Sequence, residues 1–283
     1  MQTPLPYLYG TVALFGLAFG SFLNVCIARL PLGESIITPR SHCPKCHHPI
    51  RWYDNIPVLS FLVLRGQCRD CRAPISLIYP AVEILTAALL VAAFARYQLS
   101  PEFVKCAVLE MLLIVLVFTD LIHRRIPHPV TILGTGLGFL LSLMTPVDPR
   151  PLDWILARLG AAGIGFVPLS FAAALAGAAI GGGLFYVVAV VFFRLTGKEG
   201  LGFGDVMLML MVGAFFGVPL TLLTILLGSL LGTVVAVPLE LLSSRYRHHP
   251  WPFGTFLGIA AIYASLGGQA LLAAYLRWSG LGG

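Results

Sequence analysis

Apolar residues along this chain do not alternate with polar ones; they come in long blocks. Blocks near 6–28, 77–98, 103–122, 129–146, 166–193, 206–217, 219–242 and 254–276 are almost free of charge. An α-helix rises about 1.5 Å per residue, so about 20 such residues cross a hydrocarbon core of roughly 30 Å. Inside that core every backbone N–H and C=O has to bond within the chain, which leaves the helix as the form for such runs. The pattern predicts an all-α polytopic membrane protein of about eight transmembrane helices. The block 206–217 is short for a crossing, and 152–165, Gly-rich and weakly amphipathic, is expected at the interface. The one substantial polar insertion, 29–76, falls between the first two helices.

Composition agrees with the pattern. Hydrophobic residues make up 58% of the 283 and charged residues 11%, against roughly a quarter charged in a soluble domain. Mean hydropathy is +0.91. The net charge of +6 reads as loop bias, because no basic stripe interleaved with aromatics suggests nucleic acid. With eight crossings and the N-terminus outside, the outer loops hold only Arg96, Lys105, Arg150, Arg158 and Arg277; every other Lys and Arg lies inside. If 206–217 failed to cross, Arg245 and Arg247 would move outside and the bias would shrink. The first block has no Lys or Arg before Arg29 and no clear cleavage site, so it is expected to be a retained helix.

The insertion 29–76 is too short for an ordinary core of its own. It carries Cys43-Pro-Lys-Cys46 and, 21 residues on, Cys68-Arg-Asp-Cys71. Each pair grips one ion from a tight turn, and four thiolates close a tetrahedral shell, the pattern of structural zinc. The charge bias puts this loop in the cytoplasm, where thiols stay reduced, so metal is favoured over disulfides. His42, His47 and His48 are close enough to replace a thiolate but read as solvated neighbours. Cys26 and Cys106 read as small buried residues.

Of six aspartates, only Asp120 and Asp205 sit at the ends of apolar blocks, one closing the third helix and one opening the sixth. Both fall on the cytoplasmic edge of the charge-derived topology. Two carboxylates that meet share a proton, so one takes a proton from water while the other polarises a carbonyl. Gly202 and Gly204 of GLGFGD leave room for a substrate backbone. Two plainer readings stand beside this one: Asp205 as a helix N-cap, and Asp120 in a rim salt bridge with Arg124 or Arg125.

Taken in order, several motifs resemble the prepilin peptidases, a family of bifunctional membrane enzymes with GxGD-type aspartic chemistry. They are FGSFLNVCIARLP at 19–31, PRSHCPKCHHPI at 39–50, IPVLSFLVLRGQCRDCRAPISLIYPAVEILTA at 56–87, the Asp120 to Ile126-Pro127 spacing, LTGKEGLGFGDVMLM at 195–209 and PWPFGTFLG at 250–258. The resemblance covers nearly the whole chain. It implies an N-terminal methyltransferase-type region at 1–98 with the zinc loop 29–76, and a peptidase region at 103–276. It implies cleavage after a glycine of type IV prepilins or type II secretion pseudopilins, on the cytoplasmic side of a bacterial inner membrane. It assigns the catalytic pair to Asp120 and Asp205, and it implies methylation of the new N-terminal residue, usually Phe, from S-adenosylmethionine. Asn24, Arg29, Tyr79 and Glu83 are the polar groups near the ends of the first two helices that would serve that second reaction, with Arg29 a candidate partner for Glu83. Lys198 is a candidate support for the aspartates. Where many relatives follow the proline with Asp, this chain has His128. Two other classes use the same residues: a transporter that binds protons or cations at Asp120 and Asp205, and a zinc-bearing scaffold in which both only cap helices. The transporter predicts polar residues at mid-membrane depth.

Overall fold

The computed structural model describes residues 6–159, 165–198, 200–242 and 251–280; Glu199, Arg245 and Arg247 lie outside them. Among the described residues ten α-helices follow one another: α1 Pro6–Arg29, α2 Leu59–Val63, α3 Ile78–Tyr97, α4 Pro101–His123, α5 His128–Ser142, α6 Leu152–Arg158, α7 Phe166–Thr196, α8 Phe203–Leu242, α9 Phe253–Tyr263 and α10 Gln269–Trp278. A single π turn, Ala264–Gly268, joins the last two. Among the described residues six helical stretches are long and apolar enough to cross a membrane, and α5 is a shorter apolar helix. The chain divides into two compact units, Met1–Val115 and Leu116–Gly283, with the divide inside α4.

In the first unit α1 and α3 run antiparallel at close range. A Cβ on Gly16 would fall 3.1 Å from the backbone N of Ala87, and one on Gly20 would fall 2.6 Å from the Cα of Glu83. Small residues of this kind let two helices approach where lipid offers no hydrophobic gain. Edge-to-face contacts Tyr9–Phe94 (5.1 Å) and Phe94–Phe103 (5.8 Å) close the far end.

The polar insertion between α1 and α3 is built from a repeated turn. Residues 41–50 and 66–75 share the pattern C-x2-C-x2-P-I, and their backbones bond alike. Cys43 N donates to His48 O, His47 N to Cys43 O and Ile50 N to Ser41 O; Cys68 N donates to Ala73 O, Arg72 N to Cys68 O and Ile75 N to Gly66 O. Each turn is closed by a residue at positive φ, His47 at 58° and Arg72 at 60°.

In the second unit α8 is not one rod. Gly217 has φ 70° and ψ −173°, outside helical space, and Pro219 follows. A position on Gly181 of α7 borders both Met209 and Thr221. Twelve residues of straight helix would hold those two about 18 Å apart, so the chain turns back at Gly217. The second half of α8 then runs against α9, with Gly228 on Leu257 and Gly232 on Phe256. The expected separation of 206–217 from 219–242 is this turn. The site of the turn is crowded: a Cβ on Gly217 would lie 2.8 Å from Val147 and 2.9 Å from the carbonyl of Asp148.

The first half of α8 lies so close to α7 that each backbone occupies the other's side-chain space. A Cβ on Gly177 would strike the carbonyl of Gly213, and a Cβ on Gly213 would strike Gly177. Overpacking of this kind costs about 1–3 kcal/mol where the backbone can shift and more where it cannot. Gly177→Leu is therefore expected to lower the midpoint of thermal unfolding in detergent by several degrees, whereas Gly183→Leu, with open space at its Cβ, should leave it nearly unchanged.

Candidate functional site

Three helix ends converge in the second unit. Asp120 lies in the last turn of α4, Asp205 in the first turn of α8, and Thr255 in the first turn of α9. The α4 helix ends where Arg124, at φ 53°, bonds its N–H to Asp120 O at 2.8 Å. The α8 helix opens with Asp205 N bonded to Gly202 O at 3.0 Å. Asp205 sits inside that first turn rather than at the N-cap.

Both carboxylates are buried, Asp120 at 7% exposure and Asp205 at 8%. Asp120 Oδ2 accepts two hydrogen bonds from one residue 135 positions away, from Thr255 N at 2.6 Å and from Thr255 Oγ1 at 2.9 Å. Gly254 lies between the aspartates. A Cβ there would be 3.0 Å from Asp205 Oδ1, 3.1 Å from Asp120 Oδ2 and 2.7 Å from Ile126 Cδ1. The two carboxylates thus face one point, with Ile126 as its apolar wall. Ile126 also fills the space beside Gly204, where a Cβ would lie 2.8 Å from it. His128 is exposed and meets the Phe203 ring edge-on at 5.8 Å, on the rim. Lys198 is exposed, and its backbone N–H bonds to Thr196 Oγ1.

Thr255 commits Asp120 Oδ2 to accepting. Two carboxylates that face one point disfavour double ionisation, and a pair carrying one proton can take a proton from water and give one to a carbonyl.

In the first unit the four sulfurs of Cys43, Cys46, Cys68 and Cys71 lie within 4.8 Å of one another. Cys43 Sγ and Cys71 Sγ are 3.8 Å apart, the edge of a tetrahedron with metal–sulfur bonds of about 2.3 Å. The backbone amides of Cys46 and Lys45 point at Cys43 and hold its thiol down to about 6, ready to ligate as thiolate. His42 and His47 are ring neighbours at 5.9 Å and stand outside the four-sulfur group. Arg69 grips Asp54 through two nitrogens at 2.6–3.1 Å, which holds that carboxyl below its usual range and ties the second turn to the segment Trp52–Asn55.

A cavity of about 400 Å³ lies under this loop, and Asn24, Arg29, Tyr79 and Glu83 all line it. The Arg29–Glu83 pair expected from sequence is absent. Arg29 donates to Ser35 O at 2.9 Å, and Glu83 Oε2 accepts from Val58 N at 2.8 Å. Asn24 Nδ2 donates to Tyr79 O at 3.0 Å, which ties α1 to the start of α3. Glu83 needed a donor, and a backbone amide of the loop supplies it without a second buried charge.

Sequence reasoning passed over three features. Thr255, Gly254 and Ile126 acquire meaning only through contacts between residues 49 to 135 positions apart. Glu110, in the middle of α4, is fully buried beside Cys106, so the mid-membrane positions are not bare of charge-bearing groups. The repeated C-x2-C-x2-P-I was visible in the letters and would have foretold the paired turns.

Residues 14–97 match the family described as Bacterial Peptidase A24 N-terminal domain, and 107–237 match the Type IV leader peptidase family. The prepilin leader peptidase/N-methyltransferase of Myxococcus xanthus is 40% identical over 230 residues, 81% of this chain and 62% of that protein. The proteins of the same name from Aeromonas hydrophila and Bacillus subtilis are 36% and 33% identical. Those alignments cover 96% and 93% of this chain, and 95% and 96% of theirs. No solved structure matches the chain. A helical membrane protein with two carboxylates facing one point and a four-cysteine loop is the class that fold and site define. Within it, this chain belongs to the type IV leader peptidase family.

The sulfur geometry carries a direct expectation. Purified protein should hold one equivalent of zinc by elemental analysis, and Cys43→Ser with Cys68→Ser should lose it.

Proposed function

We propose that this protein cleaves the leader from type IV prepilins or type II secretion pseudopilins and then methylates the new N-terminus. The observation that carries the first activity is the single point shared by Asp205 Oδ1 and Asp120 Oδ2 beside Gly254. A water held between the two carboxylates loses a proton to one of them as it attacks the scissile carbonyl. The other carboxylate donates its proton to the carbonyl oxygen, and the amine leaves with a proton returned. Thr255 keeps Asp120 turned toward the point. Of the glycines expected to leave room for a substrate backbone, Gly202 fits that part, since a Cβ on it would meet nothing closer than Asp205 Oδ2 at 3.5 Å; the space beside Gly204 is taken by Ile126, which excludes bulk water on one side. Helix ends supply both aspartates, so the chemistry falls at the membrane edge. The concentration of Arg and Lys in the same loops favours the cytoplasmic side of the inner membrane.

The family name of the relatives couples cleavage to N-methylation, and the cavity of the first unit suits that second reaction. Its volume is in the range of small-ligand sites, and its largely apolar wall with polar groups such as Asn24, Arg29 and Glu83 among it fits S-adenosylmethionine, which would supply an activated methyl group. Asn24 and Tyr79 hold α1 and α3 together beside it. The four thiolates fit zinc, whose part is to fix the loop that roofs the cavity. The region 1–98 is thus assigned to methyl transfer and 103–276 to peptide cleavage. Lys198, exposed on the approach to GLGFGD, is left with at most a role in meeting substrate. A proton- or cation-coupled transporter is not supported by the family membership.

The test is leader removal from a purified prepilin in detergent, read by product mass. Asp120→Asn and Asp205→Asn are each expected to lose cleavage by a factor of about 10³ or more, while the melting midpoint stays near wild type. Appreciable cleavage by either variant would end the paired-carboxylate reading. Thr255→Val, which removes one of two donors to Asp120 and keeps the shape, should lower kcat about tenfold with little change in KM, and Thr255→Ser should restore it.

A further inference from the structure

We infer that Glu83 is the anionic receptor for an ammonium group in the cavity of the first unit, and that it binds and deprotonates the free N-terminal amine of the cut substrate. This rests on the proposal that the cavity serves methyl transfer.

Glu83 is 8% exposed and lies one turn inside α3, yet it lines the cavity. A carboxylate so placed is costly unless it is paired or used. The ion pairs Arg51–Asp70, Arg69–Asp54 and Arg150–Asp148 all leave Glu83 aside, and it has no basic partner among the described residues. Its hydrogen-bond donors are uncharged: Val58 N on Oε2 at 2.8 Å, and the Ser21 hydroxyl. They orient the carboxylate but carry no charge, and the arginines that line the same cavity bond elsewhere, Arg29 to Ser35 O, Arg51 to the Tyr53 hydroxyl and Arg69 to Asp54. A cation entering the cavity would supply a countercharge.

The loop residue that orients Glu83 is itself strained. Val58 has φ 59° and ψ −47°, a conformation that a β-branched residue rarely takes. Such strain persists where surrounding bonds hold it, and it gathers at sites that bind or react. Here the Val58–Glu83 bond pins the loop wall to α3, in a fixed relation to the carboxylate.

The chemistry of amine methylation calls for such a group. A new N-terminus is largely ammonium at neutral pH, its pKa being about 7.7–8.0. Nitrogen needs a free lone pair before it can form a bond to carbon, so one proton has to leave first. Glu83 accepts a charge-assisted hydrogen bond from the ammonium and takes that proton on a carboxylate oxygen. When bound, a sulfonium methyl donor supplies the carbon, the new N–C bond forms, and the pair of the broken C–S bond stays on sulfur. The product nitrogen is again charged, as a secondary ammonium. Glu83 returns its proton to water at the cavity mouth and is ready for a second turnover.

The experiment uses full-length enzyme in detergent and a synthetic peptide with an apolar sequence that begins with Phe. One form has a free α-amine and its twin is Nα-acetylated. Binding is measured without methyl donor, and methyl gain is then read by mass with S-adenosylmethionine present. Wild type should bind the free amine at least about tenfold more tightly than the acetylated peptide, the worth of one charge-assisted bond. Glu83→Gln keeps an acceptor for Val58 N, so its fold should hold and its leader cleavage should stay within about twofold of wild type. Its preference for the free amine should collapse to near one, and methyl transfer should fall about 100-fold. Equal binding of the two peptides by wild type would overturn the inference, and so would methyl transfer by Glu83→Gln at the wild-type rate. A wild type that prefers the free amine through Glu83 but adds no methyl group would support the ammonium site and sink the methyl-transfer reading of the cavity.

Discussion

The contact on which the peptidase unit depends is between two backbones, at Gly177 of α7 and Gly213 of α8. Helices in lipid gain nothing from hiding apolar side chains, so they associate through close packing. At this crossing no side chain intervenes. That approach leaves room for α8 to turn at Gly217 and come back beside its own first half, and the returning half brings α9 down with it. The start of α9 carries Gly254 and Thr255, which meet the two aspartates. The site is thus assembled by a path through the fold that begins with the absence of two Cβ atoms.

A second constraint shapes the site itself. A carboxylate deep in hydrocarbon has few ways to be satisfied. Asp120 and Asp205 lie at helix ends, where free backbone groups and neighbouring turns provide donors. Thr255 satisfies one oxygen of Asp120 twice over, and that same Oδ2 is the one that faces Asp205 beside Gly254. A carboxylate held in a fixed orientation toward its partner is what a water-activating pair requires.

The first unit solves a different problem by similar means. Its loop is too small to fold on an apolar core, so paired cysteine turns take the place of one. The two turns share a hydrogen-bond pattern because they share a sequence pattern, and a residue at positive φ ends each. The loop is joined to the membrane helices by Arg29 to Ser35 and by Glu83 to Val58. Each bond satisfies a buried polar group of a helix with a backbone group of the loop.

Much of this was legible in the letters. Apolar block length dictates helices, because a lipid core accepts little else. C-x2-C twice dictates a four-sulfur group, since the spacing is local and a turn of that length has few conformations. The two aspartates at block ends could be singled out because charge is rare in this chain. Other features were decided only by the tertiary structure. Nothing in the local sequence told that Thr255 would bond Asp120, that Ile126 would wall the pair, or that Glu83 would take Val58 rather than Arg29. Those partners are separated by 25 to 135 residues. Periodicity and turn chemistry act over a few residues. Which ends finally meet depends on how closely the backbones of distant helices can approach, and that is settled when the whole chain packs.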